Sequence, residues 1–173
     1  MVGIYFSGTG NSKYAAELFC KEYDKEFSAY SIEDTEALAA VADADLIIFA
    51  YPVQFSTVPK IMRDYISDHN ELWKNKKVFI IATMGLFSGD GSGMLGRLLQ
   101  CYGAEVIGGL HLKMPDSIAD EKALKRSIEK NKELVKQATS ELYSLADFPD
   151  VRYETAKVYE FYMKGIFLGG YGI

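Results

Sequence analysis

Hydrophobic and polar positions along this chain switch repeatedly between strand-like and helix-like periods. Val2-Gly-Ile-Tyr-Phe6 is a short apolar run that ends in Ser7-Gly-Thr-Gly-Asn-Ser12, after which apolar side chains at 14, 15, 18 and 19 take helical spacing. Strand, glycine-containing turn and helix are predicted in that order. Phe27 to Ile32 predicts a weaker strand, with a short helix through Leu38 and Val41. Asp45-Leu-Ile-Ile-Phe-Ala50 is a continuous apolar run, the pattern of a strand covered on both faces. Tyr51 to Thr57 reads as a loop, and Pro59 suits the first position of a helix carrying Ile61, Met62, Tyr65 and Ile66. Val78 to Ala82 repeats the buried-strand pattern. A glycine-rich loop from Thr83 to Ser92 then leads to a helix marked by Met94, Leu95, Leu98 and Leu99 and closed by Gly103. Glu105 to Met114 predicts a fifth strand, loosened at Gly108-Gly109 and ended by Pro115. From Asp120, apolar positions 124, 128, 135, 138, 142 and 145 trace one face of a long amphipathic helix.

Five strands alternating with five helices imply an α/β fold with a parallel sheet, right-handed crossovers and helices on both faces. Of the two common doubly wound orders, this strand number suits the five-stranded 2-1-3-4-5 arrangement. Its ligand crevice lies where strands 1 and 3 part, so the loops at Ser7, Tyr51 and Thr83 are expected to converge there. Helices 1 and 5 should cover one face and helices 2, 3 and 4 the other. Cys20 and Cys101 are then separated by the sheet and remain free thiols.

Composition narrows the chemistry. With 173 residues, 49% hydrophobic and 25% charged, the chain suits one compact domain, expected over 1–148, and excludes intrinsic disorder. Uncharged stretches such as 1–12 and 46–59 fall short of the ~18 to 20 apolar residues of a membrane span. No basic segment precedes the opening apolar run, so a secretory signal is not expected and the cytoplasm is. A net charge of -5 with scattered basic residues argues against nucleic acid as partner. Two cysteines are too few for an iron-sulfur cluster, and neither His69 nor His111 has partners at metal-ligand spacing. Both histidines read as structural, as do the carboxylates of Glu33, Asp34, Asp43 and Asp45, which lie beside element ends. No catalytic residue and no metal site is predicted.

The candidate chemistry lies in Ser7-Gly-Thr-Gly-Asn-Ser12. Three hydroxyls, one side-chain amide and two glycines stand directly on a helix start, whose unpaired N–H groups and positive dipole end favour an anion. An ordinary helix cap needs one hydroxyl, not this density. The segment lacks the Lys-Ser/Thr pair of a nucleoside triphosphate loop and the third glycine of the dinucleotide fingerprint. A single terminal phosphate fits better.

These residues resemble the flavodoxin family, whose first loop has the pattern T/S-x-T-G-x-T, met here by Ser7, Thr9, Gly10 and Ser12. The likeness covers about residues 1 to 145. A variant of anaerobic microbes, fused to a bacterial-type ferredoxin, is similar also in Tyr51-Pro-Val53 and Lys113-Met-Pro-Asp116; the cysteine-rich ferredoxin segment has no counterpart here. The resemblance implies a flavodoxin-like fold and FMN, with the phosphate on Ser7, Thr9, Gly10, Asn11 and Ser12. It places the isoalloxazine between the second and third loops, at Tyr51, Pro52, Val53, Phe55, Thr83, Met84, Gly85, Phe87 and Gly91. A flat heteroaromatic ring needs stacking faces and backbone groups for its polar edge. Tyr51, Phe55 and Phe87 are the candidate faces, with core packing as the alternative for each, and the amides of 85–91 are the candidate edge partners. Typical flavodoxins carry a glycine-containing peptide near flavin N5 that turns its carbonyl on one-electron reduction. Tyr51 to Thr57 contains no glycine.

The resulting expectation is an FMN-binding redox protein, monomer or weak homodimer, passing electrons to a protein such as a ferredoxin or a flavin reductase. The alternatives are an FMN-dependent NAD(P)H or quinone reductase and a non-enzymatic binding or signalling module. A receiver domain shares the sheet order, but it needs an acidic residue where this chain has Ala50-Tyr51. Residues 149–173 form an aromatic-rich extension, with Tyr153, Tyr159, Phe161, Tyr162, Phe167 and Tyr171, expected to pack back on the domain.

Overall fold

The computed structural model describes residues 1–85, 89–114 and 121–147. Its elements are β1 (Val2–Tyr5), α1 (Asn11–Tyr23), β2 (Ala29–Ser31), α2 (Ala37–Asp43), β3 (Leu46–Pro52) and α3 (Lys60–Asp68), then a 3-10 turn (Asn70–Trp73), β4 (Lys77–Met84), α4 (Gly91–Cys101), β5 (Glu105–Lys113) and α5 (Glu121–Asp147). The strands form one sheet in the order β2-β1-β3-β4-β5, and every pairing is parallel.

The two faces of the sheet are covered as the topology requires. Val2, Ile4, Ile47, Phe49, Val78 and Ile80 meet Ala37 and Val41 of α2, Met62 and Ile66 of α3, Trp73, and Leu95 and Leu99 of α4. The alternate strand positions, Ile48, Ala50, Phe79, Ile81, Leu110 and Leu112, meet Ala15, Ala16 and Phe19 of α1 and Val135 and Leu142 of α5. Because both faces are apolar, the central strands read as unbroken hydrophobic runs. Cys20 is buried on the α1 side, Cys101 is exposed at the end of α4, and both are free.

Several boundaries differ from the pattern-based reading. Tyr51 and Pro52 belong to β3, not to the loop: they pair with Ala82 and Thr83, and the Val53 amide still donates to the Thr83 carbonyl at 2.8 Å. Pro52 is tolerated because it lies at the last rung. Pro59 caps α3 from outside, and α4 begins at Gly91, ahead of its first apolar residue. The Asn70–Trp73 turn, anchored by the Trp73 indole on the Ile66 carbonyl at 2.7 Å, has no periodic signature. Along β5 the register shifts opposite Val78 and Phe79, where a Cβ on Gly108 would stand 2.8 Å from the Phe79 ring. At the end of β5, Ser127 Oγ and Asn131 Nδ2 of α5 each donate to the Lys113 carbonyl at 3.1 Å. Pro115 and Asp116, Phe87, and the extension after residue 148 lie outside the described residues.

Candidate functional site

Segments after β1, β3 and β4 meet at the carboxyl edge of the sheet. Ser12, on the first turn of α1, has its Oγ 2.7 Å from Thr83 Oγ1, and Thr83 Oγ1 in turn lies 3.3 Å from the Tyr51 carbonyl oxygen.

The start of α1 leaves hydrogen-bonding groups unanswered. Its N-cap is Gly10, which holds a left-handed φ of 89°, and no side chain caps the helix. The first-turn N–H groups of a helix have no partner within it. A Cβ added to Gly8 or Gly10 would meet nothing within 4 Å, so the loop borders open space. Ser7 Oγ is buried with no hydrogen-bond partner, an arrangement that costs free energy unless a further group completes it. Thr9 is exposed on the same loop, and Asn11 is half-buried. The charge at this helix start, Lys13, is exposed and faces Glu17 at 3.8 Å. An uncharged cradle with a buried, unanswered hydroxyl suits a phosphate.

The second and third loops are packed on each other. Gln54 and Thr57 exchange backbone hydrogen bonds of 3.0 and 2.9 Å around Phe55 and Ser56, whose φ values are 49° and 60°. Two left-handed central residues make a type I′ turn, normally the territory of Asn and Gly. The turn presents the Phe55 ring to solvent, 101% exposed. It is tied to α4 by Thr57 Oγ1 donating to Met94 Sδ at 2.9 Å and by the Asp90 amide donating to the Ser56 carbonyl at 3.2 Å. Gly89 and Gly91 allow this contact, since a Cβ would stand 2.4 Å from Ser56 Cβ in the first case and 2.6 Å from Val53 Cγ2 in the second. Asp90 is paired with Arg97, and Ser92 hydrogen-bonds His111 of β5. Burial lowers the His111 pKa, with Asp90 opposing part of that shift.

Two expectations are corrected by this geometry, those for Tyr51 and Gly91. Tyr51 is fully buried and its hydroxyl donates to the Gly91 carbonyl at 2.6 Å, so its ring offers no stacking face. Burial pushes its ionisation well above the usual phenol range. Gly91 is buried by close packing, not held open for a ligand amide contact. Ser12 and Thr83, 1% and 2% exposed, hydrogen-bond each other at the edge of the site. Phe55 remains as an exposed aromatic, Pro52, Val53 and Met84 are half-buried along the same edge, and a Cβ on Gly85 would meet open space. His69 Nδ1–H donates to the Tyr65 carbonyl at 2.8 Å, in keeping with a structural role. The turn at Phe55-Ser56 escaped pattern reading because neither residue type announces a positive φ.

Among known families, the flavodoxin domain matches residues 3–94. The chain belongs to the flavodoxin family. FMN is the cofactor of this family. Among solved structures, the two-electron reduced flavodoxin of Megasphaera elsdenii is 26% identical, with a TM-score of 0.61 over 81% of this chain and 99% of that one. An archaeal flavodoxin shares the fold at 15% identity, with a TM-score of 0.58 over 82% of this chain and 97% of that one. The flavodiiron protein of Giardia intestinalis is 18% identical, with a TM-score of 0.56, and matches 80% of this chain to 36% of its own length. No curated protein matches the chain. Among the described residues, no helix of this flavodoxin is long and apolar enough to cross a membrane, and no cluster of metal-ligating side chains is present.

Proposed function

We propose that this flavodoxin holds FMN at the carboxyl edge of its sheet and carries electrons between protein partners in the cytoplasm. The observation that carries the reading is Ser7 Oγ, buried without a partner beside a helix start that no side chain caps. Ser7, Thr9 and the amides from Gly10 onward bind the phosphate, with Ser12 completing the hydroxyl set. Phe55 covers one face of the ring from the tip of its turn. Bound FMN supplies the redox chemistry, taking up and releasing electrons at its ring.

The chain's own residues do the binding and orienting. The α1 dipole and N–H groups hold the phosphate without a counter-charge. The Val53–Thr57 segment, braced on α4, fixes where the Phe55 ring stands. A ferredoxin or a flavin reductase is the class of partner such a carrier serves, with the protein a monomer or weak homodimer.

The test is a visible spectrum of the purified protein followed by titration of the flavin-free form with FMN. A flavin spectrum, or stoichiometric quenching of FMN fluorescence, is expected. A colourless protein that takes up no FMN overturns the reading. NAD(P)H added alone should leave the bound flavin oxidised, and rapid bleaching would assign a reductase.

A further inference from the structure

Ser12 stands on the face of α1 that packs against the sheet, in register with Ala15, Ala16 and Phe19, all fully buried. A hydroxyl there is costly unless bonded. Its partner is Thr83 Oγ1 at 2.7 Å, 71 residues away at the end of β4. Thr83 carries one proton and faces two acceptors, Ser12 Oγ and, at 3.3 Å, the Tyr51 carbonyl. Only one polarity of this chain leaves the Ser12 proton free: Thr83 donates to Ser12, and the longer contact to Tyr51 is given up. An anion at the α1 start selects that polarity, because each O–H is then polarised toward the negative charge.

We propose that Thr83 is a positioning residue for the phosphate end of the site and sets the preference for FMN over riboflavin, the same flavin without the phosphate. The inference rests on the FMN reading above. Thr83 acts through Ser12, holding the first turn of α1 and its hydroxyl in place. Its influence therefore falls on the phosphate and not on the ring.

The experiment titrates flavin-free wild type, Thr83→Val and Thr83→Ser with FMN and, separately, with riboflavin, reading fluorescence quenching. Thr83→Val keeps the shape and removes the hydroxyl. It should weaken FMN about tenfold and riboflavin less than about twofold, so the ratio of the two dissociation constants falls about fivefold or more. Thr83→Ser should restore the ratio. Equal weakening of both ligands, or no change in either, overturns the inference. Should Thr83→Val fail to fold, Ser12→Ala provides the second route: it should lower the same ratio, and an unchanged ratio overturns the inference there too. Wild type that binds neither flavin sinks the FMN reading and this inference together, whereas wild type that binds FMN with a ratio indifferent to Thr83 sinks the inference alone.

Discussion

The Tyr51 hydroxyl and the Gly91 carbonyl, forty residues apart in sequence, are joined by a 2.6 Å hydrogen bond that fastens the end of β3 to the first residue of α4. The phenol hydroxyl is buried, so the bond gives it a partner away from water. Tyr51→Phe preserves the ring and removes the donor. It should destabilise the protein by about 1 to 2 kcal/mol, read as a lower urea midpoint at unchanged slope. A midpoint equal to wild type would show the bond to be energetically neutral.

The glycines of the site divide by what surrounds them. Gly91→Ala drives a Cβ to 2.6 Å from Val53 Cγ2 and should cost about 1 to 3 kcal/mol through overpacking. Gly8→Ala meets open space and should leave the urea midpoint nearly unmoved while intruding on the phosphate. Gly10→Ala forces a side chain into a φ of 89° and should cost about 1 to 2 kcal/mol. Denaturation curves of the three variants check the ranking.

Stability and ligand binding should part company at the Phe55-Ser56 turn. Two non-glycine residues at positive φ cost about 1 to 2 kcal/mol each, partly offset on substitution by the greater unfolded-state freedom of glycine. Phe55→Gly should therefore raise the urea midpoint slightly while weakening FMN about tenfold, since the exposed ring contributes stacking and no core contact. Loss of stability without loss of affinity would remove Phe55 from the site.

Alkaline pH should expose the buried thiol and phenols. Burial pushes Cys20 up from 9.0 to about 12 and Tyr65 from 10.0 to about 12. Each folded pKa lies above its unfolded value, so stability is intact below the unfolded pKa and is lost as pH rises from 9 toward 12. Cys20→Ala should flatten the first part of that decline. On the acid side, the lowered pKa of His111 has the opposite sign: stability holds above the ordinary histidine value and declines as pH falls below about 6.5. His111→Gln should flatten that arm. The same thiols differ in reactivity, and an aromatic disulfide reagent should modify exposed Cys101 in the native protein and Cys20 only after unfolding.

Electrostatics makes a prediction about potential. A cradle without a matched cation in a chain of net charge -5 opposes further negative charge at the ring. The second electron should enter at a lower midpoint potential than in free FMN, and added salt should shrink the difference. A potentiometric titration giving a potential above that of free FMN would contradict this.

Much of the molecule was written locally. Continuous apolar runs at 46–50 and 78–82, short and bounded by turn residues, suit strands covered on both faces, and the hydroxyl and glycine density at 7–12 suits an anion. From these the element order and the 2-1-3-4-5 sheet followed, because periodicity and turn chemistry are properties of neighbouring residues. Tertiary structure alone decided which way individual side chains of that edge face. Tyr51 looked like a ring for stacking, yet two more residues of β3 pairing carry it into the core toward Gly91. Ser12 reads from the sequence as one more hydroxyl of the loop, and only its place on the buried face of α1 gives it Thr83 as a partner. The left-handed turn at Phe55-Ser56 is held by contacts from Met94 and Asp90, far along the chain. A side chain's partner across the fold depends on packing between distant segments, and no local pattern encodes that.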